Sequence, residues 1–368
     1  MPAPSPHSPT SSASTTKLLR VGFLALTDAA PFAAADHLGL FAQHGLRVEL
    51  RREIGWATIR EKIIYGELEA AQAPAPLLWS AQLGLGCPPC DVLTALVLNL
   101  NGNALTLSRA LRAAGVRDGA TLRAHVRTRH AAEPLTLGVV FPFSSHHLLL
   151  RDWLIASGLD PNRDVHIVVV PPAQMFRNLT AGTIDGYCVG EPWNTLAVRE
   201  AAGWCPTWSA AQSPGHVEKV LMVTRRFAET RAAEHNALIA ALAAACAWCD
   251  EPQNREPLAQ LLAEARWLNL PARIIAPALL GKFDGGSGAG KAAPDFHVFH
   301  RGAANVPTVA QAAALQAVLG AAGLLSPTAT SDFELPGRLF REDLHREALP
   351  HQPRHEIKTP LDLQGVAH

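Results

Sequence analysis

The chain has 368 residues, of which 48% are hydrophobic, and its 32 basic residues balance its 32 acidic residues. A chain of this length and apolar content can bury more than one core, so two lobes are expected. The balanced charge argues against a broad surface for nucleic acid or anionic membranes, and no stretch is expected to reach the roughly 18–20 apolar residues of a membrane span.

The first 17 residues are rich in Pro, Ser and Thr and contain a single late lysine, Lys17. This composition predicts a disordered leader over residues 1–17, without the apolar region of a secretory signal. The apolar stretch Val21–Leu26 comes late, is short and runs into a polar corner, so it is interpreted as part of the first strand. On this basis we expect the protein to be cytoplasmic.

Strands and helices alternate after the leader. Short apolar or β-branched runs predict strands, and apolar runs that end at glycine predict helices. The first group is a strand over Leu19–Leu26, a helix ending near Gly45, a strand over Arg47–Glu53, a helix from Ile59 to Gly66 and a strand over Ala70–Ala73. The second group is a strand over Leu135–Phe141, a helix ending at Gly158, a strand over Asp164–Val170, a helix from Pro171-Pro172 to Gly182 and a strand over Ile184–Val189.

The two groups repeat each other in length. Gly22 and Gly66 are 44 residues apart, and Gly138 and Gly182 have the same separation. Two βαβαβ halves of matching length predict two similar lobes that face each other, with a ligand in the cleft between them. The expected fold class is therefore α/β, bilobal and periplasmic-binding-protein-like (type II).

The chain is expected to cross between the lobes twice. An apolar strand over Val92–Leu100 precedes the first crossover, and His216–Lys219 leads into a return strand over Val220–Thr224. Helices over Ala233–Trp248 and Pro257–Leu268 would complete lobe 1, and a further helix is predicted over Val309–Leu319. The predicted boundaries are 18–100 and 220–345 for lobe 1, 101–219 for lobe 2 and 346–368 for a flexible tail.

Two kinds of motif invite other interpretations. The pairs Cys87/Cys90 and Cys246/Cys249 have the C-x-x-C spacing of zinc or redox sites. Their wide separation, and the Ala-rich helix around the second pair, favour reduced thiols instead. The glycine-rich run Gly285–Lys291 lacks the Ser or Thr that a P-loop needs at position 292, which is alanine, so ATP binding is not expected.

Several motifs, in order along the chain, resemble a known family. They are Leu26-Thr27-Asp28-Ala29-Ala30-Pro31, Trp56-Ala57-Thr58-Ile59-Arg60, Asn99-Leu100-Asn101-Gly102-Asn103, Phe141-Pro142…His146, Val169-Val170-Pro171-Pro172-Ala173-Gln174-Met175, Cys188-Val189-Gly190-Glu191-Pro192-Trp193 and His216-Val217-Glu218-Lys219. The chain is similar to the nitrate/nitrite- and bicarbonate-binding solute-binding proteins of ABC-type importers. It resembles most a soluble cytoplasmic branch, the nitrate/nitrite sensor that holds an RNA-binding ANTAR-domain antiterminator inactive until the anion arrives.

The resemblance implies a site for a small planar anion. Lys219 would supply the positive charge as a compact ammonium, and His146 would donate from a helix N-terminus. Asn103 stands where transporters of the family usually have glutamine, which leaves the order of affinity for nitrate and nitrite open. Trp56 would offer an indole N–H. Gly190 and Gln72 would line equivalent strand ends in the two halves.

Glu191 is expected to pair with a base or to cap a helix, because a carboxylate beside a bound anion repels it. Bicarbonate-binding relatives use an acidic residue and a calcium ion, and Lys219 disfavours that arrangement here. No metal, cofactor or catalytic residue is expected.

Three functions follow from these observations. The first is a cytoplasmic nitrate/nitrite sensor that closes on the anion and releases an antiterminator partner, without contacting nucleic acid itself. The second is the solute-binding component of an ABC-type importer for nitrate, bicarbonate or sulfonate. The third is an enzyme on the same scaffold, as in pyrimidine-precursor synthases, which would need a reactive histidine or cysteine. We expect a binding protein and not an enzyme.

Overall fold

The computed structural model describes residues 17–128, 134–286, 288 and 290–350. Its strands are β1 (Leu18–Leu24), β2 (Arg47–Glu53), β3 (Ala70–Pro74), β4 (Val92–Leu93), β5 (Val97–Asn101), β6 (Asn103–Ser108), β7 (Leu135–Val139), β8 (Val165–Val169), β9 (Gly186–Gly190), β10 (Gly203–Trp208), β11 (Val217–Thr224), β12 (Lys282–Phe283), β13 (Lys291–Ala292) and β14 (His297–Val298).

Helices cover the sheets. They are α1 (Ala30–His37), α2 (Leu40–Gln43), α3 (Trp56–Ile64), α4 (Leu77–Gln82), α5 (Arg109–Ala113), α6 (Gly119–Thr128), α7 (Ser145–Ala156), α8 (Met175–Thr180), α9 (Trp193–Arg199), α10 (Ser209–Gln212), α11 (Arg225–Thr230), α12 (Ala232–Asp250), α13 (Arg255–Ala263), α14 (Ala272–Leu279), α15 (Val309–Ala321), α16 (Pro327–Thr330), α17 (Leu335–Leu339) and α18 (Glu342–Ala348).

The strands form two main sheets with the same internal order. In the seven-stranded sheet, in the order β14-β5-β11-β3-β1-β2 with β4 on β11, β1 pairs in parallel with both β2 and β3. In the five-stranded sheet, in the order β10-β6-β9-β7-β8, β7 pairs in parallel with both β8 and β9. An antiparallel strand then follows each trio, β11 beside β3 and β6 beside β9. The predicted repeat of two βαβαβ halves is confirmed.

The chain changes sheets at two places. It passes from β5 to β6 through Gly102, and it returns between Trp208 and Val217. Lys219 pairs with Pro74 of β3, so the predicted lobe boundary after residue 219 falls inside a strand of the seven-stranded sheet. In the structure, this boundary lies in the segment between β10 and β11.

Several predicted elements have different ends. The first strand stops at Leu24, because the polar corner Thr27–Ala29 forms a 3-10 turn that leads into α1. Helix α3 begins at Trp56, one residue after Gly55. The strand predicted over 92–100 is two strands, because Thr94 bonds instead to the C-terminal segment, where its N–H donates to Leu339 at 2.8 Å.

Other elements were missed. Strand β6 follows β5 after a single residue, Gly102, so no loop signal separates the two strands in the sequence. Strand β10 and helices α5, α6, α9 and α14 were not predicted either. Helix α18 runs through Ala348, so the tail predicted from residue 346 does not begin there. The rest of that tail, residues 351–368, and residues 1–16 of the leader lie outside the described residues.

Helix α12 lies in the main apolar core with α1 and β1. Among the described residues it is the one helix long and apolar enough to cross a membrane by length and composition, which corrects the expectation that no stretch reaches that length. Half of the apolar 18-residue stretch of this helix is buried within the structure. Leu238, Ile239 and Leu242 pack with Phe32 in the same core. This packing is that of a core helix.

The two sheets meet across a closed cleft. A second apolar cluster combines Trp56 from the side of the seven-stranded sheet with Phe143 and Trp193 from the other side. The Thr27 N–H donates to the Glu191 carbonyl at 2.8 Å, and the Arg60 guanidinium lies 5.2 Å from the centre of the Phe141 ring. Residues that lie between these contacts are therefore shielded from solvent.

Gly102 at the first crossover provides a test of this geometry. Its φ is +104°, and a Cβ there would lie 2.7 Å from the His297 ring. We expect Gly102→Ala to lower the free energy of unfolding by about 3 kcal/mol, from backbone strain and the clash together. Urea denaturation measures this loss.

Gly215→Ala is the matched control. Gly215 also has a positive φ, +74°, but nothing lies within 4 Å of its added Cβ. Backbone strain alone should lower the free energy of unfolding of this variant by about 1–2 kcal/mol. Equal losses in the two variants would contradict the close contact between Gly102 and His297.

Candidate functional site

A buried ammonium group lies where the ends of the strands from both sheets meet. Lys219 is the third residue of β11 and is 0% exposed. Its Nζ lies 2.9 Å from Asp28 Oδ2 and also contacts Glu218 Oε1. The ammonium lies 5.3 Å from the centre of the Trp56 ring. One cation is therefore held by two carboxylates against an aromatic wall.

Glu218 is held from several directions. Its Oε2 accepts from Asn103 Nδ2 at 2.5 Å and contacts His216 Nε2 at 3.0 Å. His146 Nε2 lies 3.5 Å from Glu218 Oε1. Burial by itself would raise the pKa of Glu218, but Lys219 and the other partners hold that pKa well below its ordinary value. Glu218 is thus an ionised, fully bonded carboxylate.

Asp28 comes from the polar corner after β1. Its Oδ1 accepts from Gln72 Nε2 at 2.6 Å, and Gln72 Oε1 in turn accepts from the Leu24 N–H at 3.1 Å. Burial raises the pKa of the Asp28 carboxyl, and Lys219 offsets only part of that effect. The opposite charges of Asp28 and Glu218 raise the pKa of Lys219 although its burial acts to lower it, so the ammonium stays charged.

All six predicted site residues lie in this cluster. Trp56, Asn103 and His146 surround the Lys219–Glu218 pair, as described above. Gln72 uses both ends of its amide within the protein, so the structure shows it as a support for Asp28. Gly190 pairs with Asn103 across β6 and β9, and a Cβ on Gly190 would lie 3.5 Å from Asp28 Oδ2. Their binding of a ligand stays a prediction.

Sequence reasoning missed the second half of the cluster. It quoted Asp28, His216 and Glu218 as parts of motifs and gave none of them a role in the site. The available signal was positional, because Asp28 follows β1 as His146 follows β7, at equivalent corners of the repeat. The expectation for Glu191 is confirmed, since its Oε2 accepts from the Thr195 N–H in the first turn of α9 at 3.2 Å.

Several polar atoms in the cluster are buried and make no hydrogen bond within the protein. They are Trp56 Nε1, both ring nitrogens of His146, Asn103 Oδ1, Thr27 Oγ1 and Ser145 Oγ. Buried polar groups normally have partners. Burial lowers the pKa of His146 to about 3, so its ring is neutral and offers one N–H donor and one acceptor. The cluster can therefore bind a small ligand with several hydrogen-bond acceptors.

Metal binding and thiol chemistry depend on how the His, Cys, Asp and Glu side chains are arranged. Within the residues that the structure describes, no group of three or more His, Cys, Asp and Glu side chains is arranged to hold a metal ion. Cys188 and Cys205 are buried, and burial raises the pKa of both thiols well above the ordinary value. Cys246 and Cys249 lie buried in α12.

Comparison with known proteins identifies the family. Residues 12–263, more than half of the chain, match the family described as NMT1-like. The chain belongs to the NMT1-like family.

Sequence relatives of this NMT1-like chain include importer proteins. It is 35% identical over 358 residues to the nitrate import ATP-binding protein NrtC of Synechocystis sp., which covers 95% of this chain and 52% of that protein. It is 39% identical over 259 residues to the bicarbonate transport ATP-binding protein CmpC of Synechococcus elongatus, which covers 70% of this chain and 39% of that protein. The chain thus spans about half of the length of one of these curated relatives and less than half of the other.

A solved structure shares the architecture. The periplasmic nitrate-binding protein NrtA from Synechocystis superposes with a TM-score of 0.86 at 26% identity, covering 91% of this chain and 88% of that one. This match confirms the predicted bilobal, periplasmic-binding-protein-like fold of the NMT1-like chain.

Lys219→Ala tests whether the ammonium holds the cluster together. Removing the cation leaves Asp28 and Glu218 buried without a countercharge, which should lower the free energy of unfolding at pH 7 by about 3–5 kcal/mol. Both carboxyl pKa values should then lie above their unfolded values, so the loss should shrink as the pH falls and the carboxyls protonate. Urea denaturation at pH 5 and pH 7 measures both effects.

Lys62→Ala is the control for that variant. Lys62 pairs with Glu53 at 2.7 Å, but 29% of its side chain is exposed. Losing such a pair should cost less than about 1 kcal/mol. A Lys219→Ala loss as small as the Lys62→Ala loss would show that the cluster is not held by the buried ammonium.

Proposed function

We propose that this chain binds nitrate or nitrite in the closed cleft around Lys219. The observation that carries the proposal is the buried ammonium with unbonded donors beside it, Trp56 Nε1 and one ring N–H of His146. A planar anion with two or three oxygens can accept from these donors at once, and hydrogen bonds to an ionised acceptor are stronger than those between neutral groups. The likeness to NrtA and NrtC, proteins named for nitrate binding and nitrate import, supports this ligand.

We propose further that the chain is a cytoplasmic sensor and not an enzyme. Closure on the anion would change the surface that an ANTAR-domain antiterminator recognises, so that the antiterminator is released when nitrate or nitrite arrives. Two contacts between the sheets, the Thr27–Glu191 hydrogen bond and the stacking of Arg60 on Phe141, would form only on closure. The high thiol pKa values of Cys188 and Cys205 disfavour a nucleophile near the cleft.

A second candidate is the solute-binding component of an ABC-type importer. The likeness to a periplasmic nitrate-binding protein over most of both chains favours it. In that role the same closed state would be recognised by a membrane partner instead of an RNA-binding one. Bicarbonate is a possible ligand in this second candidate, given the likeness to CmpC.

Trp56→Phe tests the anion site while keeping the aromatic wall. The change removes the buried indole N–H and keeps a smaller aromatic ring, so nitrate affinity should fall by tenfold or more, about 1.5–3 kcal/mol for a hydrogen bond to a charged group. Isothermal titration with sodium nitrate, sodium nitrite and sodium bicarbonate, the last with and without calcium, measures the affinity and the preference.

Trp267→Phe is the matched control. Trp267 is also buried with an unbonded indole N–H, but it packs on Phe23 in the other core, 5.1 Å between ring centres. This variant should bind as the natural sequence does. If neither nitrate nor nitrite binds the natural sequence, the proposed ligand is wrong. If bicarbonate binds in the presence of calcium and neither nitrate nor nitrite binds, bicarbonate is the ligand instead.

The sensor role predicts release of the antiterminator by the anion. With the natural sequence, an immobilised ANTAR-domain protein should retain the chain without nitrate and lose it as nitrate is added. In Trp56→Phe the midpoint of release should move to higher nitrate by the same factor as the dissociation constant. Absence of capture at every nitrate concentration would eliminate the sensor role and favour the importer component.

A further inference from the structure

The cluster contains more negative than positive charge. The Lys219 ammonium contacts both the Asp28 and the Glu218 carboxylates, and all three side chains are at most 1% exposed. His146 adds no positive charge, because its ring is neutral. With both carboxyls ionised, the three groups together carry one net negative charge.

Adding an anion to this cluster opposes the charge already present. Nitrate has one negative charge and no proton that it could give to the protein at neutral pH. Two like charges brought together away from water repel strongly, because the low local polarisability hardly screens them. The anion therefore needs either a compensating positive charge or the loss of one carboxylate charge.

Asp28 is the carboxylate better placed to lose its charge. Glu218 is contacted by the Lys219 ammonium, the Asn103 amide and the His216 ring, all of which favour its ionised form. Among the residues that the structure describes, Asp28 has two polar partners, the Lys219 ammonium beside Oδ2 and the Gln72 amide, which donates to Oδ1. Its Oδ2 also points toward Gly190 across the cleft. The pKa directions agree, since the pKa of Asp28 is raised and that of Glu218 is lowered.

The charged groups that face Asp28 are Lys219 and Glu218, both on β11. The cleft holds another buried carboxyl, Glu191, whose pKa burial raises to about 7, but its Oε2 accepts from the Thr195 N–H at the start of α9. Strand β3 presents the uncharged Gln72, and β9 presents Gly190. His146 and His216 face Glu218 from the other side.

We propose that the cleft binds its anion together with one proton, which is taken from solvent onto the Asp28 carboxylate. The proposal rests on the proposed function and deepens it. Protonation removes the charge that competes for Lys219, so that an ammonium N–H turns from Asp28 to an oxygen of the anion. The ligand of the cleft is then the anion plus H⁺, and the net charge of the cluster is unchanged by binding.

The sign of the pH dependence follows from this coupling. The bound anion raises the pKa of Asp28 above its already raised value in the free protein. Affinity for nitrate should therefore be highest at low pH and fall by up to about tenfold for each pH unit between the two pKa values.

Isothermal titration of sodium nitrate into the full chain tests the proposal. Titrations at one pH in phosphate and in Tris, which differ in ionisation enthalpy, give the number of protons taken up. Nearly one proton per nitrate is expected for the natural sequence. Sodium chloride at the same ionic strength is the control for a general salt effect.

Two variants locate the proton. Asp28→Asn carries no ionisable group, so uptake should fall to near zero and the affinity should lose its pH dependence. Asp36→Asn makes the same change at an exposed carboxylate on α1, paired with Arg266 at 2.7 Å, and should keep the uptake of the natural sequence.

The outcomes are distinguishable. Nitrate binding without proton uptake would overturn this inference and leave the proposed function intact, as would uptake that persists in Asp28→Asn. No binding of nitrate or nitrite by the natural sequence at any pH from 6 to 9 would overturn both.

Discussion

The closed cleft depends on one buried charge, the ammonium of Lys219. A charge this far from water is tolerated only with close partners of opposite sign. Its partners come from two directions, Asp28 from the corner after β1 and Glu218 from the same strand. Each carboxylate then requires its own support, which is why Gln72 and Asn103 are directed inward and not into solvent.

Strand β11 places this charge. It lies between β3 and β5 in the seven-stranded sheet, and Lys219 pairs with Pro74 on one side and Asn99 on the other. The carboxyl ends of β3 and β5 lie at this end of the sheet, where the chain crosses to the five-stranded sheet through Gly102. The side chains at this end therefore face the five-stranded sheet. The same edge of the five-stranded sheet contributes Asn103 from β6 and Gly190 from β9. The site is therefore the place where two similar halves turn their strand ends toward each other.

The remaining chemistry of the cleft fits the small oxyanion proposed as its ligand. The unbonded donors are an indole and a neutral imidazole, which give hydrogen bonds without adding charge. The buried thiols are held protonated, and the one acidic residue near the loop after β9, Glu191, is engaged at the start of α9. On the proposed function, a ligand so enclosed would enter when the lobes separate, which would couple binding to closure.

The two matching halves, with the order of strands and helices within them, could be predicted from the sequence pattern. These features are local, because apolar periodicity and terminal glycines mark strands and helices wherever the chain is read. The six cleft residues were implied by the resemblance to a known family. The sequence did not reveal that Thr94 bonds to the C-terminal segment, that Asn103 opens a strand, or that Asp28 and Glu218 both contact Lys219. Such contacts depend on strand register and on the approach of distant segments, which no local pattern encodes. The sequence by itself determined the lobes and the lysine, and only the tertiary structure decided how that lysine is neutralised.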